Sequence, residues 1–86
     1  MTEPQLFVVY LGGEPAPGRM GEDHEVVLVV AEDVKSARTQ ARAKWSGSSR
    51  PHIDAISVVH RVDGYDIGLS SGQPGDLLDI DLTYEE

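Results

Sequence analysis

The chain has 86 residues, 40% of them hydrophobic, with 15 acidic side chains against 7 basic ones and a net charge of −8. That length allows one domain with a small core, and the charge argues against nucleic acid and anionic membranes, both of which attract cationic surfaces. With no cysteine, disulfides, thiolate metal sites and Cys nucleophiles are excluded.

Leu6-Phe7-Val8-Val9-Tyr10-Leu11 is short, apolar and rich in β-branched and aromatic residues, which predicts a first strand ended by Gly12-Gly13. Glu14 to Gly21 holds two prolines and two glycines and reads as a loop. Val26 to Val30 predicts a second strand. From Ala31 to Trp45 the period changes. Val34, Ala37, Ala41 and Trp45 fall on one helical face, with Asp33 as N-cap, Lys44 in the last turn and Gly47 as the stop. A loop through Ser46 to Pro51 leads to a third strand, roughly Ile53 to Val62. Asp63-Gly64 then predicts a type I′ turn into a fourth strand over Tyr65 to Leu69.

The expected fold is α+β in the order β-β-α-β-β. It is a mixed sheet of four or five strands with one helix on one face, forming a single domain over residues 1–70. Residues 71–86 form an acidic C-terminal segment. In it Leu78, Ile80, Leu82 and Tyr84 alternate with Asp79, Asp81 and Thr83, the period of an extra strand. No apolar run approaches the roughly 18 residues that span a bilayer. Met1-Thr2-Glu3-Pro4 lacks a secretory pattern, so the expected location is cytoplasmic.

The first two strands are apolar on both faces, and one helix can cover only one. The candidate covers are the C-terminal segment, the long loop and a second copy of the protein; the second copy is the expected one, giving a homodimer. Lys35, Arg38 and Arg42 line one side of the helix and read as a solvated face.

Several pieces taken in order resemble a bacterial family known as a domain of unknown function, number fifteen-forty-three. They are Leu6-Phe7-Val8-Val9-Tyr10-Leu11-Gly12-Gly13, Pro17-Gly18, His24-Glu25-Val26-Val27, Lys44-Trp45, His52-Ile53-Asp54 and Val62-Asp63-Gly64-Tyr65. The resemblance runs from about Leu6 to Leu69 and implies single or tandem copies of one unit. It implies no activity. Ala55 is followed by no aromatic and Ser46 replaces a common one, so an aromatic pocket is not implied for this chain.

Chain direction supplies the one chemical inference. A β-α-β crossover makes the second and third strands parallel, so His24 and His52, which precede them, sit at the same end of the sheet. Tyr10, Gly12 and Gly13 arrive there if the first strand is antiparallel. The expected ligand-binding residues are therefore His24, His52, Asp54, Tyr10, Gly12 and Gly13. Asp54 stands two residues from His52, on the same strand face. His60 belongs to the other end. The plainer reading, which the residue types favour, is that both histidines bond loop backbone at the strand starts. No motif assigns a metal or a cofactor. The glycines lack a Gly-Lys-Ser/Thr ending and precede a strand, against a phosphate loop. Two function classes follow. The first is a non-enzymatic interaction or ligand-binding module acting as a homodimer. The alternative is a small enzyme or metal-binding domain using the His24/His52/Asp54 rim, with a third ligand from Asp23, Glu22 or Asp54.

Overall fold

Strand β1 spans Gln5–Gly13 in the computed structural model, which describes residues 3–73, 78, 80 and 81. Being apolar on both faces it takes the centre of the sheet, flanked by β2 (Asp23–Ala31) and β3 (His52–Val58), both antiparallel to it. Phe7, Val9 and Leu11 point to one side and are fully buried with Val29, Ala31, Ala37 and Ala41. Helix α1 (Val34–Ala43) covers that side, presenting Ala37 and Ala41. Two alanines facing the sheet let the helix backbone approach closely. Trp45, Ile53, Ile56 and Val58 complete the core margin.

The N-cap is Asp33, whose carboxylate accepts the Ser36 N–H at 2.7 Å. That bond to the charged form holds the Asp33 carboxyl below its usual range. Gly47 does not end the helix by a left-handed turn, since its φ is not positive. It lets the loop close: a Cβ there would overlap the Glu14 carbonyl oxygen and the Trp45 ring.

The α+β class and the β-β-α-β-β order stand as expected, but the single mixed sheet of four or five strands does not. The main sheet has three antiparallel strands, in the order β2-β1-β3, and β4 (Arg61–Val62) with β5 (Tyr65–Asp66) forms a separate ribbon. The long third strand of the sequence reading is cut because its partner runs out. Val59 donates to the Leu6 carbonyl, and two steps further along β1 stands Pro4, which has no N–H for a ladder. The extra strand expected over Leu78 to Tyr84 lies for the most part outside the described residues. Among the described residues no helix is long and apolar enough to cross a membrane.

The ribbon turns at Asp63-Gly64, where φ is 51° and 84°, as a type I′ turn requires. A Cβ at Gly64 would meet nothing within 4 Å, so the demand there is purely on the backbone. Gly64→Val should cost about 1–2 kcal/mol, read as a lower thermal midpoint. An unchanged midpoint would show that the ribbon contributes nothing to the cooperative fold.

Candidate functional site

Because β2 and β3 are each antiparallel to β1, they run parallel to each other with β1 between them. His24 and His52 therefore start at the same end, but on opposite edges of a three-stranded sheet. An intervening strand puts them near twice the 4.8 Å strand spacing apart, too far for side chains to share a partner across an ordinary residue. The residue between them is Gly12, which pairs with His24 on one side and His52 on the other. With no side chain at Gly12, the two imidazoles lean over it from both edges. A Cβ built there would lie 2.8 Å from His52 Nε2, 2.9 Å from Glu22 Oε1 and 2.9 Å from His24 Cδ2.

Two carboxylates join the imidazoles. Glu22 ends the loop before β2 and sets Oε1 3.3 Å from His24 Nε2 and 3.2 Å from His52 Nε2. Asp54 spans the pair from the other side, Oδ1 3.2 Å from His52 Nε2 and Oδ2 3.8 Å from His24 Nε2. A break in register aims Asp54: Tyr10 pairs with Ala55 and Leu11 with Ile53, leaving Asp54 as the extra residue of a bulge. Such bulges re-aim a side chain at the cost of one ladder pair. None of these four contacts is among the aligned side-chain hydrogen bonds of the described residues. Each Nε2 has two carboxylate oxygens within 4 Å.

Of the expected site residues, His24, His52, Asp54 and Gly12 come together. Tyr10 borders them on the same face, its ring stacked on His24 at 5.3 Å and 13°, which limits the imidazole's swing. Gly13 faces the other side, where a Cβ would meet Pro51 and Trp45, and it borders a shallow hollow with Glu14, Gly21, Glu22 and His52. Asp23 is held by Arg19 at 2.7 Å and stays out. His60 lines a different hollow with Gln5, Leu6 and Ile67. Glu22 is the member that the sequence named only as one of three possible third ligands.

The rim is open: the four side chains are between 35% and 55% exposed. Two carboxylates and two imidazoles suit a cation, and the C-terminal end of α1 lies toward this end of the sheet, where Trp45 reaches Gly13.

On the same face, away from the rim, the sheet carries apolar side chains that stand exposed among the described residues. Leu6, Val8 and Tyr10 of β1 align with Val30, Leu28 and Val26 of β2. Val26, Leu28, Val30 and Tyr10 are 60%, 40%, 47% and 39% exposed.

The family profile described as Domain of Unknown Function (DUF1543) matches residues 19–69, more than half of the chain. The matched stretch holds Glu22, His24, His52 and Asp54; β1 with Gly12 precedes it. No curated protein matches the chain, and no solved structure does.

Proposed function

We propose, from the premise that the chain belongs to the Domain of Unknown Function (DUF1543) family, that it is a small non-enzymatic interaction module working as a homodimer. The observation that carries this reading is the apolar face of β1 and β2, on which Tyr10, Val26, Leu28 and Val30 stand exposed beside the half-buried Leu6 and Val8 among the described residues. Fully burying a Val or Leu that stood exposed contributes about 1.5–3 kcal/mol, so this face gains by being covered. A second copy is the fitting cover. Two such faces are self-complementary under a two-fold axis, and sheets pack about 10 Å apart, face to face, with interdigitating side chains. The charge of −8 opposes association elsewhere on the surface and leaves this patch as the favoured contact. The exposed rim beside it supports binding over catalysis.

Light scattering on the eluting protein should give about twice the 9.3 kDa chain mass. Val26→Asp with Leu28→Asp should return it to one chain mass, with the fold retained by circular dichroism. A wild-type monomer at tens of micromolar would overturn the reading. It would mean that the chain covers its own face, for instance through Leu78, which borders a hollow with Leu6, Leu28 and Val30.

A further inference from the structure

We propose that Glu22, His24, His52 and Asp54 bind one divalent transition-metal cation, of the zinc class, in a four-coordinate site built over Gly12. This goes beyond the interaction reading and does not depend on it. A tetrahedral ion with donors at 2.0–2.1 Å holds those donors about 3.3–3.4 Å from one another. Glu22 Oε1 stands 3.3 Å from His24 Nε2 and 3.2 Å from His52 Nε2, and Asp54 Oδ1 stands 3.2 Å from His52 Nε2, so three of the six edges of such a tetrahedron are already near length; the 3.8 Å contact to His24 is made by the other Asp54 oxygen. Side chains merely paired by hydrogen bonds would align each N–H with one oxygen; here none of the four contacts is an aligned hydrogen bond.

The donor set is borderline in softness, two imidazoles and two carboxylates, which suits zinc and its neighbours over calcium or magnesium. As they stand, no group of three or more His, Asp and Glu side chains among the described residues is arranged to hold a metal ion. The quartet needs small side-chain rotations to surround an ion, and its exposure permits them. Three devices serve the arrangement. The bulge aims Asp54, the Tyr10 ring steadies His24, and Gly12 supplies the space. The last is the most telling, because glycine inside a central strand weakens it and this one is buried.

The test is titration of chelator-treated protein with zinc by calorimetry, and with cobalt by visible absorption. Wild type should take up one equivalent per chain, and cobalt should show the intense bands of a four-coordinate site. Losing an outer partner of a metal site costs roughly 10–100-fold in affinity, so His24→Ala and His52→Ala should each cost more than that. Gly12→Ala is the diagnostic variant. Its methyl would press on the far ends of His52 and Glu22, which can move aside, and on the His24 ring, which the Tyr10 stack holds until it is displaced; the strand keeps its fold, checked by circular dichroism. The quartet is spread, and zinc affinity should fall at least about tenfold, on the scale of a lost positioning partner. Repeating the titration on the Val26→Asp/Leu28→Asp protein separates this outcome from that of the dimer. No saturable uptake by wild type would overturn the proposal and leave an ion-pair cluster. So would uptake unchanged by the two histidine substitutions, or unchanged by Gly12→Ala.

Discussion

Phe7→Ala should lower the free energy of unfolding by about 3–5 kcal/mol, the range for emptying a buried aromatic site. Phe7 is 1% exposed and is the largest fully buried side chain. It sits between Val29 of β2 and Val58 of β3, under the helix. At roughly 0.05–0.15 kcal/mol per residue a domain of this size holds only about 4–13 kcal/mol in total. The substitution therefore removes a large share of it. The helix meets the sheet through alanines, which have no length with which to fill the void, so relaxation is limited. Urea unfolding followed by the single Trp45 measures the change. A loss under about 1 kcal/mol, ordinary for a surface change, would show that the helix does not close over Phe7.

Gly47→Ala should cost about 1–3 kcal/mol by overpacking, although the residue is in a loop. The obstacle is the Glu14 carbonyl oxygen, a backbone atom, together with the Trp45 ring beneath it. Neither can swing away as a flexible side chain would. The loop must lift, and with it go the Ser48 N–H bond to Glu14 at 3.2 Å and the Ser48 hydroxyl bond to Pro15 at 2.7 Å. Thermal unfolding of the variant should show a lower midpoint, and Trp45 emission should shift to the red. A midpoint equal to wild type would mean that the loop docks without this close approach.

The features that were legible in the sequence are those set by neighbours along the chain. The Asp63-Gly64 turn is fixed by two residues that accept positive φ, and the helix by the spacing of Ala37 and Ala41. Chain direction placed His24 and His52 at one end whatever the strand order. Strand order itself depends on which strand has two partners, and that is settled by distant pairings such as Phe7 with Val58. Gly12 shows the limit well. Read locally, Gly12-Gly13 ends a strand; in the fold Gly12 lies inside β1, paired on both sides, and what matters is the atom it lacks. The Asp54 bulge is invisible for the same reason, since a register shift belongs to two strands at once. Asp23 and Glu22 are equivalent as letters, and only the Arg19 ion pair tells them apart.

The rim joins parts of the chain with very different histories in folding. Glu22 and His24 adjoin the hairpin of β1 and β2, a local pairing. His52 and Asp54 ride on β3, whose ladder closes loops of 40 residues at Gly12 and His52 and 51 at Phe7 and Val58, and which has no fully buried residue. Long closures are made late, and sparsely buried edge strands open at low free energy. Detachment of β3 thus divides the quartet without disturbing the hairpin. Anything held by all four groups ties the strand with the longest loop closures to the β1–β2 hairpin and is linked to its opening by mass action. Amide protons of β3 would then exchange with solvent more slowly in proportion to occupancy, while those bridging β1 and β2 keep their own rate.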